Sequence, residues 1–364
     1  MRILSSAFNS IQKWLFPVLE EEIGELTEKQ REFVRVVELI DPEKFMAPFR
    51  WGGFGRPTDE RLSIFKAFVA KAVYNFPTTK ILLENIKSSP PLRRLCGWES
   101  LGEVSSEPTF SRAFAEFSDA GLTQKIHKAM IVKHVKEEKL VGHISNDATA
   151  IKGREKPCRK NTPKAMKKGK KGRPKKGEEH PPKEPRRLEL QPDRTLEENL
   201  ADLPVGCDWG TKRDSNGKRM TWKGYKLHLG CMDGDIPVSA ILTSASPHDS
   251  QVGIPLMQMS HERVVSLYDL MDSAYDAPEI RGVSRSLGHV PIIDYNKRKG
   301  EEKELAPAEK NRYKERSTAE RVNANLKDNF GGRSIRVKGH EKVFTHLMFG
   351  IIAMTAKQLF NMLC

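Results

Sequence analysis

What this 364-residue chain lacks narrows it first. Its five cysteines (Cys96, Cys158, Cys207, Cys231, Cys364) form no C-x-x-C pair and no zinc-type spacing. That excludes a disulfide framework and a thiolate metal site, and it suits reduced thiols in the cytoplasm. No signal peptide is expected, because Met1–Trp14 has no small-residue cleavage site behind an apolar run. No apolar run reads as a membrane span. The most apolar stretch, Val343–Leu363, is interrupted by His346, Thr355, Lys357 and Gln358, and reads as a buried or amphipathic terminal helix. Ser/His/Asp and Cys/His nucleophile signatures are missing as well.

Positive charge is abundant but concentrated. The chain carries +14, and residues 152–187 hold 16 Lys and Arg against four Glu. This block therefore accounts for +12 and leaves about +2 for the rest. Such a concentration calls for a polyanionic partner, and nucleic acid fits best because no amphipathic apolar stretch accompanies it. The block has few large apolar residues and many Pro, Gly and Lys, so it is expected to be a disordered loop. At its centre, "KKGRPKKG" (Lys170–Gly177) is similar to an AT-hook. Arg173, Lys175 and Lys176 are accordingly candidates for minor-groove contacts or for a non-specific phosphate tether.

The elements on either side differ in kind. Before the block, Thr58 can cap a helix carrying Leu62, Phe65, Val69 and Val73, closed by Pro77. Further helices follow over Thr79–Lys87, from Ser106 with Phe110, Phe114 and Phe117, and from Gly121 to about Glu138. Residues 1–138 thus read as a small all-α domain for DNA binding or dimerisation. "LVGHISNDATAI" (Leu140–Ile151) is strand-like, with Asp147 near its end. After the block come a hairpin, "TWKGYKLHLGCM"–DGD–"IPVSAILTSAS", then a helix over Gly253–Glu262 and a strand ending near Asp272. Another helix and the strand His289–Lys297 complete a mixed α/β sheet of about five strands, formed by residues 139–151 and 188–364.

The helix that follows, "YKERSTAERVNANLKDNFGG", is opened by Pro307 and stopped by Gly331-Gly332. Tyr313, Arg316, Glu320 and Lys327 fall on one narrow stripe of it, a polar decoration where an apolar face is expected. Three acidic residues, Asp147, Asp272 and Glu320, lie at strand ends or on this stripe, and strand ends of open α/β sheets collect ligands. Converging carboxylates repel one another, and hard divalent cations such as Mg²⁺ or Mn²⁺ remove that repulsion. Two such ions can activate a water or hydroxyl and stabilise the leaving oxygen of a phosphodiester. Ser317 and Glu320 also fit a capping box, and each aspartate alone fits a turn or a solvated strand end.

The spacing Tyr313-(2)-Arg316-(3)-Glu320-(6)-Lys327 resembles the Y-R-E-K signature of DDE-type insertion-sequence transposases. "SNDATAI" and "MDSAYDA" resemble the segments that hold their two aspartates. "WKGYKLHL" and "SPHDS" resemble blocks between those aspartates, and the region from Gly55 to Phe117 resembles their helical N-terminal domain. The resemblance implies an RNase H-like catalytic domain that cuts transposon ends and joins the 3′-OH to target DNA. It makes Asp147, Asp272 and Glu320 the ligands of two Mg²⁺ or Mn²⁺ ions, with Tyr313, Arg316 and Lys327 on DNA phosphates. Lys226 is a further phosphate candidate, and His228 and Asp249 are candidates for supporting the ligands, with structural roles open for the first two. Trp222 is a candidate for stacking on a base, with core packing as the alternative.

A homodimer on double-stranded DNA, in a prokaryotic cytoplasm and associated with the nucleoid, completes the expectation. Only 48 residues separate Asp272 from Glu320, so no large β-rich insertion fits there. Rival readings are a junction resolvase of the same fold and a non-catalytic, transposase-derived DNA-binding protein.

Overall fold

A computed structural model describes residues 2–50, 52–53, 60–136, 140–158, 185–213, 217–296 and 304–362. Thr58, Arg173, Lys175 and Lys176, with most of the basic block, lie outside the described residues.

The N-terminal region is helical. Helix α1 (Glu28–Ile40) starts at Thr27, whose hydroxyl accepts from the Gln30 backbone N–H while the Gln30 side chain accepts from the Thr27 N–H. Helices α2 (Arg61–Val73), α3 (Thr79–Ser88), α4 (Glu107–Asp119) and α5 (Leu122–Ile131) follow. Thr78 caps α3 by accepting from the Ile81 N–H at 3.1 Å. Phe110, Phe114 and Phe117 line the buried side of α4, as their helical spacing predicts.

The sheet has six strands: β1 (Leu140–Lys152), β2 (Asp208–Arg213), β3 (Arg219–Met232), β4 (Ile236–Ser244), β5 (Val265–Met271) and β6 (Val290–Ile293). They run in the order β2-β3-β1-β5-β6, with β4 also paired to β3. The sheet is mixed: β1 is antiparallel to β3 and parallel to β5, and β6 is parallel to β5. This is the expected α/β architecture with one strand more than the sequence pattern counts. The extra strand, β2, is a short edge strand beside the first half of β3. Its Gly210 leaves room for the Trp222 ring, which a Cβ there would meet at 2.5 Å. The β3–β4 hairpin turns at the expected DGD, with Gly234 and Asp235 both at positive φ.

Each face of the sheet receives a helix. On one face Gly230 of β3 has no side chain, and a Cβ there would touch Asn146 and the Ser260 hydroxyl of α6 (Ser250–Arg263). On the other face lies α8 (Ser317–Asn329), which follows a single 3₁₀ turn, Lys314–Arg316, after the short helix Pro307–Tyr313. Helix α7 (Pro278–Ser286) leads into β6. Gly331, at φ +80°, ends the α8 segment, and the Gly332 N–H returns to the Leu326 carbonyl at 3.0 Å.

The terminal helix α9 (His340–Asn361) joins the two regions. It packs on β4 and on α1, α2, α4 and α5. Its Phe349 ring lies 5.2, 5.5 and 6.1 Å from those of Phe65, Phe68 and Phe114. Among the described residues it alone is long and apolar enough to cross a membrane, but 78% of that window is buried inside the protein, as befits a core helix.

Candidate active site

The paired stretch of β1 and β5 ends at Asn146 and Met271. Asp147 and Asp272 are the next residue on each strand, at the point where the two strands part. Beyond it β1 continues to Lys152 against β3 alone. Parallel neighbours thus bring together two carboxylates that stand 125 residues apart in the sequence. Asp272 also caps the turn Ser273–Tyr275, its carboxylate accepting from the Ala274 N–H at 2.9 Å.

Helix α8 is tied to the same face of β1 by successive contacts. The Asn323 amide donates to the Asp147 carboxylate at 3.1 Å, and the Lys327 ammonium donates to the Thr149 hydroxyl. Before the helix proper, the Ser145 hydroxyl donates to the Glu315 carbonyl at 3.1 Å. Two residues along a strand advance about 6.7 Å and four along a helix about 6 Å. Asp147 and Thr149 therefore match Asn323 and Lys327 in step. Asn323 is buried and its spacing to the acidic residues forms no pattern, so sequence reasoning missed it. The helix register itself, four residues before Lys327, is the signal that could have found it.

Tyr313, Arg316 and Glu320 form a chain of contacts at the N-terminal end. The Arg316 guanidinium lies 5.7 Å from the centre of the Tyr313 ring and pairs with Glu320 at 2.5 Å. Tyr313 packs against Leu270, Ile292 and Leu305, and burial pushes its hydroxyl up to about 12. Ser317 makes no capping bond. It is already helical, and its hydroxyl accepts from Arg321 at 2.7 Å, so Glu320 does not close a helix start. Glu320 is 56% exposed and available to a ligand arriving from solvent.

Electrostatics couple these groups. Burial raises the Asp147 carboxyl to about 6, and the charges of Asp272 and Glu320 push the same way. The Ala148 N–H and Arg316 oppose the rise. Asp272 is raised too, by burial and then Asp249, against its bond from Ala274 and the charge of Arg316. Burial, and after it Lys212 and Arg333, push the Lys327 ammonium down.

The donor set fits a hard divalent ion in its chemistry: oxygen donors only, partly buried, with Asp147 and Asp272 made less acidic chiefly by burial. As they stand, with Glu320 held by Arg316, no three His, Cys, Asp or Glu side chains among the described residues are gathered closely enough to clasp one.

The structure does not bring Lys226 or His228 to Asp147. Both lie on the opposite face of β3, because strand side chains alternate and Leu229 is the partner of Asp147. Lys226 is 12% exposed, and its ammonium donates to Asp249 at 2.7 Å and to the Pro247 carbonyl at 2.8 Å. His228 is fully buried beside the Thr243 hydroxyl, and burial holds it down to about 4. Asp249 does reach the site electrostatically, through Asp272. Trp222 is buried, and its indole N–H donates to the Tyr225 carbonyl at 3.0 Å, which is the core-packing alternative.

No curated protein and no solved structure matches the chain. Two family models do. Residues 21–116 match a transposase domain (DUF772), over α1 to α4, and residues 142–356 match the transposase DDE domain, from β1 into α9. The second match spans more than half of the chain and contains Asp147, Asp272 and Glu320. The chain belongs to the DDE-domain transposases.

Proposed function

We propose that this transposase binds the inverted repeats at transposon ends, cuts them by metal-dependent phosphodiester hydrolysis and joins the freed 3′-OH to target DNA. The observation that carries the proposal is the pair Asp147 and Asp272 where two adjacent parallel strands part, both carboxyls raised, beneath a helix that presents Glu320. Asp147, Asp272 and Glu320 would hold one or two Mg²⁺ or Mn²⁺ ions. Such ions, when bound, polarise the phosphodiester and lower the pKa of the attacking water or hydroxyl.

The protein's own groups do the rest. Asn323 fixes the Asp147 carboxylate, and the Ala274 N–H fixes that of Asp272. Arg316 pairs with Glu320 in the free protein and is placed to exchange that partner for a DNA phosphate, which releases Glu320 to the metal. Tyr313 supports the guanidinium from one side. Lys327 holds helix to strand through Thr149 and offers its remaining N–H groups to the backbone near the cut. Two ends must be cut, so a homodimer on DNA is the expected working form.

The test is to incubate the full chain and Mg²⁺ with DNA carrying the element's inverted repeats, and to map breaks and joined products. Metal-dependent breaks at repeat ends support the proposal. Preferential cutting of four-way junctions favours a resolvase, and binding without cutting under any divalent ion favours a non-catalytic descendant. Either result overturns it.

A further inference from the structure

Between the helical region and the sheet lies a groove of ≈ 610 Å³ that the site above does not use. Its walls carry Lys71, Lys80, Arg154 and Arg336 against one carboxylate, Glu107. Lys71 is only 9% exposed, and among the described residues its ammonium has no hydrogen-bond or ion-pair partner. A lysine desolvated this far without a counter-charge is unfavourable unless a ligand supplies one. Burial and then Arg336 push it down to about 8. His346, also in the wall, offers no negative charge: its Nε2–H donates to the Gly331 carbonyl at 3.0 Å, and burial keeps the ring neutral. Thr78, Thr79 and Lys80 place the N-terminus of α3 in the same wall. The first-turn N–H groups of a helix have no intrahelical acceptor and favour anions.

The surroundings indicate which anion. Arg154 follows directly on β1, the strand of Asp147 and Thr149, and its guanidinium donates to the Arg336 carbonyl at 3.2 Å. Arg336 follows the stop of α8, the helix of Glu320 and Lys327. Lys212 and Arg333 lie close enough to Lys327 to depress its ammonium, as Arg336 does for Lys71. Cations thus recur from Lys327 to the groove, on β2 and past the ends of β1 and α8, with Arg333 paired to Asp328 at 2.6 Å. A row of this kind suits a linear polyanion better than a single small anion.

We propose that the groove holds a backbone phosphate of duplex DNA, with Lys71 as its buried contact and Arg154 and Arg336 at its rim. The proposal rests on the transposase reading, and it places the duplex against both the N-terminal helices and the catalytic sheet.

The test uses the full chain, a fluorescent duplex and no divalent ion, with affinity measured across a range of salt. Lys71→Met and Arg336→Gln should each weaken binding about tenfold, as expected for a lost charge-assisted hydrogen bond, and flatten the log–log salt slope by about 0.9. Lys71→Met should melt at or above the wild-type temperature, because it removes an unpaired buried charge. Unchanged affinity and slope in both variants overturn the proposal. If inorganic phosphate protects the wild type and not Lys71→Met against thermal unfolding, while duplex affinity is unchanged, the groove serves a free anion and the DNA assignment falls. Should Lys71→Met fail to fold, the exposed Arg336→Gln decides. Metal-dependent cutting that Asp272→Asn abolishes, beside unchanged binding by both groove variants, sinks the groove and leaves the transposase reading intact. Altered salt slopes without any metal-dependent cutting do the reverse.

Discussion

At the scale of single residues, burial holds the Asp147 and Asp272 carboxyls away from ionisation, and neighbouring carboxylates add to it. Burial raises the Asp147 carboxyl from its ordinary 3.8 to about 6, so the folded protein binds a proton more tightly than the unfolded chain. Its stabilising contribution is complete below the unfolded pKa and is lost as pH rises through about 6. That rise in pKa corresponds to at most about 3 kcal/mol. Metal-free wild type should therefore lose melting temperature between about pH 4 and 7 relative to Asp147→Asn, in which that group no longer titrates. Mg²⁺ should restore more of the loss at pH 7.5 than at pH 5, because only the ionised carboxylates attract it. Thermal unfolding of both proteins across this range, with and without Mg²⁺, checks the sign. A gap that does not change with pH contradicts it.

At the scale of elements, one strand and one helix carry most of the site, and their agreement in step does the positioning. Asn323 and Lys327, one helical turn apart, meet Asp147 and Thr149, two residues apart on β1. Replacing Asn323 with Ala leaves the fold of α8 intact but frees the Asp147 carboxylate. Metal-dependent cutting should fall about 10- to 100-fold, the usual effect of losing a partner that orients a ligand. Duplex affinity should stay close to wild type, and a variant that loses binding and cutting together would point to a different role.

Much at this scale is legible in the sequence. Asp147, Asp272 and Glu320 stand in strings with recognisable neighbours, and the DGD hairpin and the Gly331-Gly332 stop announce their own backbone geometry. Asn323 is illegible because a single amide inside a helix has no periodic partner; only the strand opposite gives it a task. The same holds for Lys226, whose type suggests a phosphate while its register turns it away from Asp147 and its ammonium pairs with Asp249. Strand β2 is short and carries a glycine that serves Trp222, so its own pattern is weak. In the polar segment around Thr27 the capping box with Gln30 is present in the letters, but the first fifty residues otherwise alternate too briefly to reveal α1.

At the scale of the whole molecule, the helical region and the sheet share a core. Helix α9 is preceded in the chain by the sheet and α8, yet its Phe349 sits among Phe65, Phe68 and Phe114 of the helical region. Unfolding should accordingly be a single cooperative transition, with calorimetric and van't Hoff enthalpies in agreement. A fragment starting at Leu140 exposes the apolar side of α9 and should be aggregated or loosely packed; a fragment that melts sharply on its own would show the core to be separable. Charge adds a second theme at this scale, since the +12 block and the cations leading away from Lys327 both suit a polyanion. Strong salt dependence of DNA binding follows from that arrangement.

The central claim is that Asp147, Asp272 and Glu320 act together as ligands of a divalent ion at the DNA cut. A metal-specificity switch tests it most directly. Thiolate is a softer ligand than carboxylate and binds Mg²⁺ poorly but accepts Mn²⁺ better. Cutting of transposon-end DNA should be measured for wild type and Asp272→Cys in each metal. Wild type should cut in both; Asp272→Cys should bind the DNA, fail to cut it in Mg²⁺, and regain part of the activity in Mn²⁺. Wild-type cutting by Asp272→Cys in Mg²⁺ would contradict the account.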